Sequence, residues 1–336
     1  MKTRPLARIA ALQPIAAALA ALGIFFTVPH VRGADAEKAD AAITRGLAFL
    51  ASHQREDGSV GVADSNNSVG VSSLAGLAWI GSGTHVENVE RVAKFIVARQ
   101  REDGFTIAAA PRGGSMYDHG FATLFLATHA KAAAQPALKK PLETAVALIV
   151  KSQGPAGAWR YLPAPNDGDV SVTSCQLMAL VAAKGAGAEV PDATIEKAVG
   201  YLKRCQNPDG GFRYLANEGT SGFPRSAAAL AASLAARGLV PPAIQPDAAN
   251  GSAYVLGFLP DGTKQQAGGG FFMHGHYYAG QVLRARGGEA FARWREAVAT
   301  ALLAAQKEDG AWANQVSPEF GTSEACLILQ TVKAGR

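Results

Sequence analysis

Several short clusters in this sequence carry side chains able to move protons or hold a ligand. Asp118 and His119 are adjacent, His274 and His276 flank Gly275, and Asp167 and Asp169 flank Gly168. A neutral histidine beside a carboxylate is general acid–base equipment, and the same residue types can ligate a metal. Two residues apart on a helix, His274 and His276 would point about 200° from each other, so one of them at most faces a shared cavity if Gly275 is helical. Arg225 can hold an anion or a neighbouring carboxylate. Tyr277 and Tyr278, with Phe271 and Phe272, are the densest aromatic cluster, serving either as packing or as an apolar wall for a ligand. Asp, Asn, Ser and Thr at helix starts also act as caps worth about 1 kcal/mol each. Asn67, Ser68, Asp169 and Thr322 therefore have a structural reading beside the chemical one.

A repeated turn must position these groups. It reads Gln206-Asn207-Pro208-Asp209-Gly210-Gly211-Phe212, and recurs at Gln54–Gly58, Gln100–Phe105 and Gln306–Trp312. A worn copy is Gln153–Trp159, and a sixth, without the glutamine, is Pro260-Asp261-Gly262. The turn glycines 58, 104, 157, 210, 262 and 310 are 46 to 53 residues apart, a period that marks a repeat architecture. Before the turns lie amphipathic stretches such as Ala39–His53 and Ala193–Cys205, with apolar residues at helical spacing. After them come helices rich in Ala, Ser, Leu and Gly, including Val170–Lys184 and Ser323–Lys333, with charge sparse until the last turn. Small apolar residues on nearly every face predict burial on both sides. The expected architecture is all-α: a charged outer ring and a buried inner ring, closed into six helical hairpins. Closure is favoured over an open solenoid because the last repeat is as regular as the others, with no polar capping repeat. In a closed ring the inner helices run parallel. Asn66, Asn67, Ser68, Tyr117, Asp118, His119, Asp167, Asp169, Arg225, His274, His276, Glu319 and Thr322 then gather at one mouth.

Composition narrows the function classes. Lys2, Arg4 and Arg8 precede an apolar run from Ile15 to Val28, and Ala34-Asp35-Ala36 is a small-x-small processing signal. Residues 1–36 are expected to be a cleaved signal peptide and residues 37–336 a single exported domain, secreted or periplasmic. The formal charge is +5; removing Lys2, Arg4, Arg8, Arg32 and Asp35 takes away +3 and leaves +2. With no basic run in that part, no nucleic-acid partner is expected. Cys175, Cys205 and Cys326 are too few and too far apart for a disulfide scaffold or a zinc knuckle, and read as buried apolar residues. No metal site and no cofactor is expected.

An apolar helix ending in Gln, followed by Asp-Gly and an aromatic, resembles the Gln-Trp repeats of squalene cyclases and the matching repeats of protein prenyltransferase β-subunits. The resemblance spans residues 37–336. It implies an α/α toroid, an (α/α)6 barrel with its site in the cavity at the inner-helix mouth. The functional motifs of those families are incomplete here. Cyclases start polyene cyclisation from an Asp-x-Asp-Asp motif, and the nearest segment, Asn166-Asp167-Gly168-Asp169-Val170, keeps Asp169 and at most Asp167. Prenyltransferases hold zinc with Asp-x-Cys and a histidine; here Asp169-Val170-Ser171 lacks the thiolate, with His274 near the histidine position. The inner helices offer mainly alanine and serine rather than cavity aromatics. Three readings follow. The first is a terpenoid cyclase- or prenyltransferase-like toroid that binds an apolar, isoprenoid-like ligand and can convert it by acid catalysis, with Asp169, Asp167, Asp118 and His119 as proton carriers and His274, His276, Tyr277, Tyr278 and Arg225 as ligand contacts. The second is a non-catalytic scaffold for a protein or cell-envelope component, which a sealed barrel would favour. The third is a carbohydrate-active enzyme using two of Asp118, Asp169 and Glu319, which requires carboxylates roughly 5–10 Å apart.

Overall fold

The computed structural model describes residues 33–61, 68–108, 115–260 and 271–334. Asn66, Asn67, the sixth turn glycine and the targeting residues before Gly33 lie outside them. The described residues form helices α1 (Gly33–Ser52), α2 (Ser68–Ser82), α3 (Val86–Ala98), α4 (Ser115–Ala133), α5 (Lys139–Lys151) and α6 (Val170–Gly185). They continue with α7 (Asp192–Cys205), α8 (Phe223–Ala235), α9 (Ala248–Leu256), α10 (Phe272–Arg286), α11 (Gly288–Ala305) and α12 (Pro318–Lys333). Among the described residues no helix is long and apolar enough to cross a membrane. The processing point expected after Ala36 falls in the first turn of α1.

The even-numbered helices pack side by side in the order α2, α4, α6, α8, α10, α12, and α12 packs against α2, so the inner ring closes. The helices are buried as their composition demands: in α6 nearly every residue from Val170 to Leu180 is inaccessible. The outer helices are amphipathic. In α3, Val89, Val92, Ala93 and Ile96 form the buried face at three- and four-residue spacing. Side chains also stitch neighbouring inner helices, with Gln176 Nε2 donating to Met116 O at 2.7 Å and Gln330 Nε2 to Ala78 O at 2.7 Å.

The hairpins form across the short links that follow the inner helices, not across the Asp-Gly turns. Each outer helix packs chiefly on the inner helix before it, α3 on α2 and α7 on α6, while α1 packs on α12. The reason is connection length: residues 83–85 join α2 to α3 and Gly287 alone joins α10 to α11, and short links make antiparallel neighbours. The Asp-Gly turn instead begins the longer crossing to the next inner helix. Four inner helices also start three to five residues earlier than their apolar runs indicate, at Ser115, Phe223, Phe272 and Pro318. Tyr117, Asp118, His119, His274, Glu319 and Thr322 therefore lie within helices rather than before them.

The turn itself works as a clamp between repeats. Gly58, Gly104, Gly157, Gly210 and Gly310 all have φ of 86 to 90°, which glycine adopts without strain. Asp57, Asp103, Asp209 and Asp309 each accept the backbone N–H two residues on, at 2.9 to 3.0 Å. The glutamine reaches the next repeat: Gln153 Nε2 donates to Gly157 O and Thr194 O, and Gln206 Nε2 to Gly210 O and Asp247 O. Gln306 Nε2 bonds Gly310 O and Ala42 O, carrying the clamp from the last turn back onto α1. Trp159, Trp312 and Phe212 after the turns are fully buried pegs, and Trp79 and Trp294 are core. All three cysteines are free and buried.

Candidate ligand site at the barrel mouth

One hydrogen bond sets the register of every described turn against its inner helix. The backbone N–H two residues after the turn glycine is accepted by Ser72 Oγ, Thr173 Oγ1, Ser226 Oγ and Thr322 Oγ1 at 2.7 to 3.1 Å. In α4 the residue in that slot is His119, whose Nδ1 accepts Thr106 N–H at 3.2 Å while Nε2 lies 3.1 Å from Ala145 O. That pairing fixes a neutral tautomer, with Nε2 carrying the proton. Burial pulls the ring down to about 4. His119 is thus a structural partner of its turn, enclosed away from the cavity, and Thr322 is the same rather than a helix cap; Ser317 caps α12. In α10 the same register falls on His276. Its Nδ1 accepts Trp294 Nε1–H at 3.3 Å, its ring packs on Phe223 and Phe272, and burial pulls it down to about 3.

Two residues before the slot, every inner helix contributes one residue to a single cavity: Gly70, Tyr117, Ser171, Pro224, His274 and Phe320. The cavity holds about 550 Å³, within the range of small-molecule sites. Asp118 and Arg225, one residue before the slot, also reach it, as do Phe121, Tyr161, Tyr214 and Phe271. The expectation of an alanine- and serine-walled interior is therefore corrected at the mouth. Alanine and serine dominate helix-to-helix contacts, but six aromatic residues line the opening. Phe271, at the rim, has φ of 61° and is half exposed.

Among the described residues of the wall, Asp118 is the one carboxyl, and its Oδ2 has no partner among them. Its Oδ1 accepts Gly70 N–H at 2.9 Å, in the first turn of α2, where backbone donors have no intrahelical partner. Gly70 permits the approach, since a Cβ there would lie 2.8 Å from Oδ1. Burial pushes the carboxyl up from 3.8 to about 7, against the opposing pull of the Gly70 N–H. Asp118 is thus a carboxylic acid able to hold its proton near neutral pH.

His274 carries the second acid–base pair. Its Nδ1 lies 2.7 Å from Glu324 Oε1, and its ring meets Phe121 and Tyr278 edge-on. Glu324, wholly buried one turn below Phe320, is raised by burial, with His274 opposing. Tyr278 lies one turn below His274, and Tyr277 and Tyr278 are both buried behind the wall rather than lining it. Arg225 lines the cavity while donating from Nε to Phe212 O at 2.9 Å and from Nη2 to Thr220 O at 2.6 Å.

The two aspartates of the motif-like segment stand outside the cavity wall. Asp167 is exposed and paired with Arg160. Asp169 caps α6: Oδ1 accepts Val172 N–H at 2.9 Å and Oδ2 accepts the Tyr214 hydroxyl at 3.1 Å. Both its oxygens are occupied, and burial raises it. The structure brings together Asp118, Arg225 and His274 from the sequence candidates, and leaves His119, His276, Tyr277, Tyr278, Asp167 and Asp169 off the wall. Tyr161, Tyr214, Phe121, Phe320 and Glu324 were not singled out in the sequence. A signal for two of them exists: Arg160-Tyr161-Leu162 and Arg213-Tyr214-Leu215 recur at the same place after successive turns.

The prenyltransferase alpha-alpha toroid domain family matches residues 14–106 and 108–241. The chain belongs to that family. A search of curated protein sequences finds no match to this toroid. Among solved structures it is similar to an inactive variant of the α-1,6-mannanase GH76A of Salegentibacter sp. HEL1_6 in complex with α-1,6-mannotetrose. That likeness has TM-score 0.65 and 12% identity, over 89% of this chain and 98% of that one. It is also similar to a glycosidase variant in complex with glucose (TM-score 0.61, 16% identity, 91% and 100% covered). A protein from Actinoplanes is comparable (TM-score 0.60, 15% identity, 88% and 99% covered). At these identities the shared property is the toroid fold.

Proposed function

We propose that this toroid is an exported protein that binds an isoprenoid-like molecule in the mouth cavity and converts it by acid catalysis from Asp118. The observation that carries the reading is a carboxyl raised to about 7 in a cavity walled by aromatic rings. A carboxylic acid there can give its Oδ2 proton to an alkene carbon. The π pair forms the new C–H bond, the O–H pair stays on the carboxylate, and a carbocation remains on the neighbouring carbon. The carboxylate that results is stabilised by Gly70 N–H and the α2 N-terminus. The cation is stabilised by ring faces such as those of Tyr117, Phe121 and Phe320. Loss of a proton to that carboxylate completes the step and restores the acid. Of the four expected proton carriers, Asp169, Asp167, Asp118 and His119, Asp118 is the one on the cavity wall. An open cavity also supports a ligand over a scaffold role, which a sealed barrel would have favoured.

A glycan-processing reading is supported by the hydroxyls of Tyr161 and Tyr214, by Arg225 and His274 on the wall, and by sugar complexes among the fold neighbours. Thermal-shift titration separates the two. Polyprenyl phosphates, farnesol and squalene form one arm, and α-1,6-mannotetrose the other. A ligand at about a hundred times its Kd stabilises the native state by about 2.7 kcal/mol, several degrees for a chain of this size. A rise with the isoprenoids, followed by a product that Asp118→Asn cannot make, is the expected result. A rise with mannotetrose alone would replace this reading with the glycan one.

A further inference from the structure

The tyrosines that the repeated Arg-Tyr-Leu places on the wall form a directed hydrogen-bond chain. Tyr161 and Tyr214 are held by their own backbones: Met116 N–H donates to Tyr161 O at 3.1 Å, and Val170 N–H to Tyr214 O at 3.0 Å. Their hydroxyls are 2.6 Å apart, and the Tyr214 hydroxyl donates to Asp169 Oδ2 at 3.1 Å. Asp169 is the N-cap of α6, and both its oxygens accept: Oδ1 from Val172 N–H and Oδ2 from the Tyr214 hydroxyl. Each phenol has one proton. The Tyr214 proton is committed to Asp169, so the bond between the hydroxyls must use the Tyr161 proton. Tyr161 Oη is left on the cavity wall with lone pairs and no proton to offer.

We propose that Tyr161 Oη is the acceptor for a ligand hydroxyl, so that the cavity takes an isoprenoid alcohol in preference to the matching ether or hydrocarbon. This inference rests on the isoprenoid reading above and adds the polar end of the ligand. Asp169 then has a role beyond capping: through Tyr214 it orients the proton of Tyr161, as a positioning residue that does not touch the ligand.

The test compares farnesol with farnesyl methyl ether on the full chain, by thermal shift and by titration for Kd. The two probes share chain and oxygen and differ in the O–H. The wild type should bind the alcohol more tightly, by roughly threefold to tenfold, the scale of one net hydrogen bond. Asp169→Asn gives a sharper outcome. Asparagine keeps the cap, since its Oδ1 still accepts Val172 N–H, but it turns Nδ2 toward Tyr214. Tyr214 then accepts from asparagine and donates to Tyr161, and Tyr161 is free to donate outward. The ether should gain affinity until it matches the alcohol. Tyr161→Phe should instead bring the alcohol down to the ether. A wild type that binds both probes equally, or an Asp169→Asn that keeps the wild-type preference while binding both, overturns the relay and leaves the isoprenoid reading standing. Binding of neither probe to the wild type overturns the isoprenoid reading, and this inference with it.

Discussion

Asp118→Asn converts the acid argument into a stability measurement that needs no ligand. The folded chain holds a proton on Asp118 up to about pH 7, whereas an unperturbed carboxyl releases it near 3.8. Between those values folding takes up a proton, so this group's contribution to stability falls as pH rises. A shift of about three pKa units at about 1.4 kcal/mol each makes the full loss on the order of 4 kcal/mol. Asparagine is the isostere of the protonated acid: its Oδ1 accepts Gly70 N–H as the carboxyl does, and it never ionises. Two other buried groups act in the opposite direction. His119 and His276 are pulled down to about 4 and about 3, so unfolding takes up protons below 6.5 and their contributions grow as pH rises. The wild-type profile mixes both signs, and the difference between wild type and variant isolates Asp118. Melting curves by circular dichroism at intervals from pH 4.5 to 8 provide the assay. The variant should melt close to wild type at pH 4.5 and above it at pH 8, by roughly 6 °C for a chain of this size. A difference that stays flat across this range would refute the reasoning, because Asp118 would then ionise as an exposed carboxyl does. A variant less stable than wild type at pH 8 would refute it as well.

Three further perturbations probe the frame around the site. Gly310→Ala puts a Cβ 2.6 Å from Arg45 O at φ +89°, whereas Gly238→Ala meets nothing within 4 Å at φ +88°. Both should lose about 1–2 kcal/mol to backbone strain, and Gly310→Ala distinctly more; equal melting temperatures would show that the turn does not seat against α1. Gln306→Ala removes the bonds to Ala42 O and Gly310 O, so hydrogen exchange in α1 should accelerate by roughly tenfold while α6 stays protected. His119→Ala leaves a hole and an unpaired Thr106 N–H, a loss of about 2–4 kcal/mol, yet the ligand-induced rise in melting temperature should persist. Disappearance of that rise in a folded His119→Ala would return the histidine to the ligand site.

Much of the frame was legible in the residues because the turn is built from side chains with one job each. The glutamine, aspartate and glycine make the same contacts in successive copies, so their spacing alone implied the ring and its period. The apolar runs located the inner helices but not their starts. Polar first turns such as Ser115–His119 carry no periodic signal, and this is why Thr322 read as a cap. Asp169 and Asp167 drew attention through the resemblance, and the neighbouring glycine and valine already marked the motif as incomplete. Asp118 was visible as a residue, but its raised pKa comes from burial that only the closed ring supplies, and the one bond that opposes it comes from Gly70, 48 positions away in another helix. His119 and His276 carry a chemical reading in the sequence because a histidine near a carboxylate is acid–base equipment wherever it is not enclosed. Their slots are occupied by serine or threonine in the other four repeats, a comparison that becomes meaningful once the backbone N–H partner is known.

The slot and the ring above it divide the work of each inner helix. In five of the six inner helices the slot accepts a backbone N–H from the described turn, with serine, threonine or histidine as the acceptor; in α10 His276 accepts the Trp294 indole N–H instead. Two residues earlier the helices face the cavity, and the six positions hold glycine, tyrosine, serine, proline, histidine and phenylalanine. The asymmetry of the cavity therefore comes from positions that the ring does not need. Gly70 illustrates the coupling between the two levels. By omitting a side chain it opens its first-turn N–H to Asp118, and so lets a neighbouring repeat carry the acid that the motif-like segment before α6 does not present. A toroid of near-identical repeats can in this way relocate its acid around the mouth without altering the turns that close it.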